Sequence, residues 1–245
     1  MSIANASPWA RNDDELLIIS TTNYFSADLV QENQVYGTYE SLDNNTYLEF
    51  GLTDEITIGG KAIYGTSWLN TGIGSLTDSG FSEVEGYAQY EVLRTNENAA
   101  SFKLSAGKPA AFQSTARAAL GSGGADAELA ILYGHNIIFR PVKLFAAAEV
   151  GYRKRFGNAA DVVRLQATLG IEPTKRWVVL LEGFGTISLR NEMLGGADYD
   201  IIKLQPSVVY RLNHHWAIQV GASKDLATRN LAPGKSFFIG LWSAF

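Results

Sequence analysis

The sequence contains no cysteine. No disulfide framework and no thiolate metal site can be built from it, and the absence fits any compartment. Histidine is scarce, with three residues in 245, and proline contributes six. There is no basic block, and the formal net charge is −5. The electrostatic footprint of a nucleic-acid binder is therefore missing. Also missing is any apolar run of about 18 residues or more, which a membrane helix needs. The longest candidate, Ile137 to Val150, is broken by Arg140, Pro141, Lys143 and Glu149. A helical membrane protein is not expected on that ground, but a transmembrane barrel is not excluded, because its apolar side chains occupy alternate positions and its average hydropathy looks soluble.

What the chain does have is a period of two. In "SEVEGYAQYEV", Val84, Gly86, Ala88, Tyr90 and Val92 share one parity, and Glu83, Glu85, Tyr87, Gln89 and Glu91 share the other. A strand with one oily and one wet face has this pattern, whereas a helix would scatter both sets around its circumference. The split recurs in "EITIGGKAIYG", "SFKLSAG", "PVKLFAAAEVGYRKR", "VVRLQATLGI" and "IIKLQPSVVYR". About twelve such segments are centred near residues 20, 46, 62, 87, 104, 131, 148, 166, 182, 205, 220 and 240.

Connections alternate in length. Tight ones follow the even segments, at 53–55, 94–99, 139–143, 172–176 and 212–215. Longer, glycine-rich and polar ones follow odd segments, including "NTGIGSLTDSG" at 70–80 and "PAAFQSTARAALGSGG" at 109–124. Short turns at one end and long loops at the other describe an all-β, antiparallel, up-and-down transmembrane barrel of about twelve strands. An even strand number places both termini at the short-turn, periplasmic end. Residues 13–245 form the single barrel domain in this reading. Residues 1–12 form an N-terminal periplasmic segment, in which Ala4-Asn5-Ala6 fits a secretory cleavage site with the mature chain starting near Ser7. A polar, unstructured start fits the same residues.

Aromatic residues fall where an interfacial girdle belongs. Trp177 and Trp216 open segments just after short turns, with Tyr210 and Phe245 at the same end, while Tyr64, Tyr152 and Phe237 lie toward the long loops. A soluble lipocalin-like barrel or sandwich would also use aromatics, in its core. The two folds differ in which parity faces water.

The last strand carries a resemblance. Phe237, Ile239, Leu241 and Phe245 share one parity, with Ser243 departing from it. This resembles the C-terminal strand of Gram-negative outer-membrane barrels, whose final Phe is a recognition signal for the barrel-assembly machinery. The resemblance implies a bacterial outer-membrane location, outer-membrane lipid around the barrel and that machinery as a partner. "LTDEITIGGKAIYG" and "YRLNHHWAIQVGASKDLATRN" further resemble the turn-and-strand units of the phenol meta-pathway outer-membrane transporter family, over about a fifth of the chain. That likeness implies passage of small aromatic or hydrophobic compounds and brings no catalytic or ligand residues with it. Phe184, Trp242, Phe238 and Tyr87, on the inward parity, would suit such a solute or simply pack.

The wet parity lines the expected lumen with Glu49, Lys61, Glu83, Glu85, Tyr87, Glu91, Lys103, Glu128, Glu149, Arg153, Arg164, Glu182, Lys203 and Arg211. Hairpin register brings Glu91, Lys103, Glu128 and Arg153 within reach of one another, and likewise Glu149, Arg164, Glu182 and Lys203. Paired charges could merely stabilise the wall, or their transverse field could sort small polar solutes. Glu49, Glu83 and Glu85 add an acidic patch that favours cations. Twelve strands enclose a narrow channel, or one occluded by side chains and the 109–124 loop. Catalysis is not expected: His214 and His215 sit in a short turn, and His135 has no nucleophile near it. No cofactor and no metal are expected. Two functions remain, a passive channel for small solutes, or a structural or export-associated barrel that docks partners with its lumen closed.

Overall fold

Lipid admits a non-helical span only when every backbone group is paired within the protein, which requires a sheet closed on itself. The computed structural model, which describes residues 7–31, 34–108, 124–139 and 142–245, has that form. Twelve strands run in chain order: β1 (Leu16–Gln31), β2 (Gln34–Gly51), β3 (Ile56–Thr71), β4 (Gly74–Arg94), β5 (Asn98–Lys108), β6 (Asp126–Phe139), β7 (Val142–Arg155), β8 (Val162–Glu172), β9 (Trp177–Ser188), β10 (Asp200–Arg211), β11 (Trp216–Arg229) and β12 (Gly234–Ala244). Each pairs antiparallel with its sequence neighbours, and β12 closes on β1. The seam runs from Leu17 opposite Ala244 to Ala27 opposite Gly234. It is tied off by reciprocal 2.9 Å hydrogen bonds between Leu16 and Phe245.

The short turns have a common device. At or near the start of four of them, a small polar side chain accepts backbone N–H groups at or just before the start of the next strand. Thr53 Oγ1 accepts from Ile56 N at 3.0 Å, and Thr95 Oγ1 from Asn98 N at 2.8 Å. Thr174 Oγ1 accepts from Trp177 N at 3.2 Å, and Asn213 Oδ1 from His215 N and Trp216 N at 2.8 and 2.9 Å.

Parity is realised as expected. Leu165, Ile202 and Leu241 stand outward at 42, 45 and 44 % exposure, although a soluble barrel would bury them. Lipid is the medium that such a surface fits. The aromatic residues of the expected girdles also point outward, several of them in contact with one another. Trp177 lies 4.6 Å from Tyr210, Trp216 lies 6.1 Å from Phe245, and Tyr64 meets Phe81 edge-on at 5.2 Å. Tyr152 and Phe237 are exposed on the same outer face.

One expected loop is not a loop. Residues 70–80 continue β3 and β4 into a tall hairpin, with only Gly72 and Ile73 between the strands. Thr66 faces Ser79 with their hydroxyls 2.9 Å apart, and Ser67 faces Asp78. Above the lipid both faces of the hairpin meet water, so it lacks the oily parity by which the other strands were recognised. β1 to β4 have 16, 18, 16 and 21 residues, and β5 to β12 have 11–14. A tilted span needs about 9–11. One side of the barrel therefore projects well past the other at the long-loop end. The loop at 109–123 lies outside the described residues.

A second departure concerns the interior. In "LLII" and "WVVLL" both parities are apolar. Leu17, Ile19, Val178, Leu180, Val209, Ala217, Trp242 and Ala244 form a buried cluster inside the short-turn half, against Phe145 and Tyr47. Gly170 leaves the space for this packing, since a Cβ there would stand 2.0 Å from Phe145 Cζ. Trp242 is 2 % exposed, and its Nε1 donates to Gln219 Oε1 at 3.0 Å. Truncating Trp242 to Ala should remove about 3–5 kcal/mol, as other large core truncations do. The measurement is the urea unfolding midpoint in lipid vesicles.

Candidate functional site

The other half of the short-turn mouth is occupied by the chain itself. Ser7, Pro8, Ala10 and Arg11 precede β1 and are buried inside the barrel against β2–β6. Gln89 Nε2 on β4 donates to Ser7 O at 3.0 Å, and the Ser101 hydroxyl on β5 donates to Pro8 O. Ala10 N donates to Glu91 Oε2 at 2.5 Å, and Arg11 N to Thr57 Oγ1 at 2.8 Å. Arg11 Nε meets Glu49 Oε2 at 2.5 Å. Trp9 and Pro8 lie over Gly134 on β6, where a Cβ would approach both to 2.5 Å. Residues 7–12 thus cross the mouth opposite the apolar cluster, held by polar groups that the strands aim inward. Residues 1–6, with the Ala4-Asn5-Ala6 motif, lie outside the described residues.

Above this floor is a cavity of about 440 Å³. Its wall includes Asp43, Tyr47, Lys61, Glu85, Tyr87, Lys103, Glu149, Arg164, Gln166, Phe184, Lys203 and Phe238. All the residues expected to line a lumen lie on the inward parity, and they sort into levels. Glu49 and Glu91 are bound to the N-terminal segment, with Glu49 also accepting from Tyr47 and Tyr87 at 2.5 and 3.0 Å. Glu91 holds Arg94 at 2.6 Å. Arg211 pairs with Glu172 at 2.9 Å near the short-turn rim. Trp242, expected to meet a solute, lies in the apolar cluster below the cavity, whereas Phe184, Phe238 and Tyr87 are on its wall.

Arg153 is the hub of the middle level. Its Nε contacts Glu128 Oε2 at 2.7 Å, and one terminal nitrogen is bonded to Glu85. The other lies 3.6 Å from Glu83 and 4.0 Å from Asp126. The guanidinium therefore reaches from β7 to β4 across part of the lumen. Arg164 shares Glu128 at 3.3 Å, and Lys61 holds Glu83 at 3.0 Å. Lys103 pairs with Glu149 at 2.6 Å, with its ammonium 5.8 Å from the Tyr87 ring centre.

These partners differ from the ones that hairpin register indicated. Of Glu91, Lys103, Glu128 and Arg153, only the last two form an ion pair with each other. Glu149, Arg164, Glu182 and Lys203 all turn to other groups: Glu182 accepts from Gln205 at 3.0 Å, and Lys203 faces Asp225 at 3.9 Å. Strand tilt offsets same-height residues from their register partners, so long side chains bond diagonally. Lys103 lies opposite Ala130, which lies opposite Gly151; these give it no partner, and it reaches Glu149, two residues before Gly151 on β7.

Carboxylates also fasten the long-loop rim, outside the spans. Burial of Asp161 disfavours its charge, but hydrogen bonds from Arg155 N, Asn191, Lys154 and Tyr152 outweigh that and hold its pKa well below the usual range. Asp198 is held low chiefly by its bonds from Arg229, at 2.6 and 2.7 Å. The histidines are structural neighbours of turns. His135 Nδ1 is 2.8 Å from Asn98 Oδ1, and His215 Nδ1 is 2.8 Å from Ala244 O.

No family model and no curated protein matches the chain. Solved structures do match. The COG4313 outer membrane channel from Pseudomonas putida F1 superposes with a TM-score of 0.73 at 12 % identity, over 100 % of both chains. The NanC porin gives 0.60 at 7 % identity, over 91 % of this chain and 98 % of that one. The translocator domain of autotransporter NalP from Neisseria meningitidis gives 0.57 at 10 % identity, over 96 % and 90 %. The fold is that of outer-membrane β-barrels, and its oily belt and aromatic girdles suit a lipid surround. At these identities the likeness concerns the fold alone.

Proposed function

We propose that this protein is a passive outer-membrane channel for small solutes, with a narrow charged lumen that residues 7–12 restrict at the periplasmic mouth. The cavity above that segment carries the reading. Cationic Arg164, Lys103 and Lys203 and anionic Asp43, Glu85 and Glu149 share its wall, so a solute passing through meets a field across its path. Gln166 and Asn45 on the same wall add uncharged amides, and Gln166 Nε2 and Asn45 Oδ1 are buried with no hydrogen-bond partner among the described residues. Phe184 and Phe238 add apolar contacts, which suit a small aromatic or hydrophobic solute. Two of the structures the fold resembles are named as a channel and a porin.

Planar-bilayer recording tests this. The expected result is a small, steady single-channel current. Arg164→Ala should shift selectivity toward cations, read as a moved reversal potential in a salt gradient, because Arg164 is one of the few luminal cations that is substantially exposed. Folded protein, shown by heat-modifiable migration in gels, that passes no current would count against the channel. That result would favour a barrel that serves structure or export and docks other proteins, a reading which the filled mouth also supports. In either case the outward Phe245, ending the β12 pattern, suits recognition of the last strand by the barrel-assembly machinery.

A further inference from the structure

Apart from Ser243 near the short-turn end, the oily belt is interrupted by one polar patch. On β1 the outward row reads Leu16, Ile18, Ser20, Thr22, Tyr24, and on β2 it reads Phe50, Leu48, Thr46, Asn44, Leu42. Ser20 lies opposite Thr46, and Thr22 opposite Asn44. Four polar side chains therefore face outward together. Asn44 lies six residues from Phe50 at the short-turn end, roughly 15 Å up a tilted strand. That is near the middle of a hydrocarbon band about 25 Å tall. Ile18, Leu48 and Ile58 border the patch below, Tyr24, Leu42 and Tyr64 above, and Ile239 and Leu241 on the β12 side.

The four bond to one another. Asn44 Nδ2 donates to Ser20 Oγ at 3.0 Å, and Thr46 Oγ1 donates to Asn44 Oδ1 at 3.0 Å. Thr22 and Thr46 nonetheless remain exposed on the belt. Such groups facing lipid tails alone cost free energy, whereas polar side chains between protein surfaces in a membrane join them. The neighbouring outward positions on β3 and β4 are Gly60, Ala62, Gly86 and Ala88, which let another backbone approach closely.

We propose that this face of β1–β4 docks a second copy of the same chain, through a two-fold axis along the membrane normal. Both copies insert with the same end up, so the partner's patch lies at the same depth. The patch carries amide donors, an amide acceptor and hydroxyls, so it is complementary to itself, as a two-fold interface requires. The inference does not depend on the lumen conducting.

Because the chain has no cysteine, a single introduced one reports cleanly. Thr46→Cys and, on the opposite side of the barrel, Leu165→Cys are treated in native outer membranes with a short flexible bis-maleimide. Sedimentation of the wild type and of Asn44→Leu/Thr46→Val is measured in mild detergent, with heat-modifiable migration confirming folding. The expected result is a cross-linked product of twice the chain mass for most of T46C and little for L165C. Wild type should sediment as a dimer and the double variant as a folded monomer. The proposal is overturned if wild type sediments as a single barrel with T46C no more cross-linked than L165C, if the double variant stays dimeric, or if T46C joins a product of any other mass.

Discussion

Deleting residues 1–12 should raise single-channel conductance severalfold. The segment crosses the half of the mouth that the apolar cluster leaves open, and among the described residues it is the part of the floor that is not a barrel strand. Strand closure does not depend on it, because the β1–β12 seam begins at Leu17. The deletion has a cost in stability. Glu49 loses Arg11 and remains inside with Tyr47 and Tyr87, and Glu91 loses its bond from Ala10. Removing one partner of a buried ion pair typically costs about 3–5 kcal/mol. Combining the deletion with Glu49→Gln should recover part of that while keeping the higher conductance. Bilayer recording and urea midpoints separate the two effects. A deletion variant that folds and conducts like wild type would place the narrowest point elsewhere, at the level of Arg153.

Arg153→Ala should have the largest effect on selectivity. One guanidinium lies among Glu83, Glu85, Asp126 and Glu128. Without it, Lys61 still pairs with Glu83 and Arg164 with Glu128, but the group loses the cation that touches all four carboxylates. The middle lumen becomes strongly acidic, so the reversal potential in a potassium chloride gradient should move far toward the potassium value. Stability should fall by about 3–5 kcal/mol for the same reason as above. Arg153→Lys should rescue little, because a single ammonium cannot reproduce a planar fork that contacts several carboxylates. An unchanged reversal potential would mean that ions do not pass this cluster.

The fold was legible because lipid imposes its own period. Most spans present oil at alternate positions, so Val84, Ala88 and Tyr90, or Leu165, Ala167 and Leu169, announce a strand without any knowledge of its neighbours. Even Phe245 at the chain end could be assigned to a surface. The wet parity obeys a weaker rule. Sequence says that Lys103 and Arg153 point inward, but their partners depend on shear and side-chain reach, which no local pattern carries. The N-terminal segment was illegible for another reason: it has no period at all. Its only trace was Pro8-Trp9-Ala10, a small apolar stretch just before the first strand, together with Gln89, Glu91 and Glu49 all gathered at one end. The buried cluster left a clearer trace, since runs such as Val178-Val179-Leu180-Leu181 spoil the alternation because both sides are apolar.

The uneven strand lengths give the outer entrance a direction. With β1–β4, a third of the strands, rising like a partial collar above the others, the rim of the described strands is slanted. If solutes pass through this barrel, one arriving from behind the collar would first have to clear a screen of Thr66, Ser79 and Asp78. Approach over the lower strands would make access sideways as much as vertical.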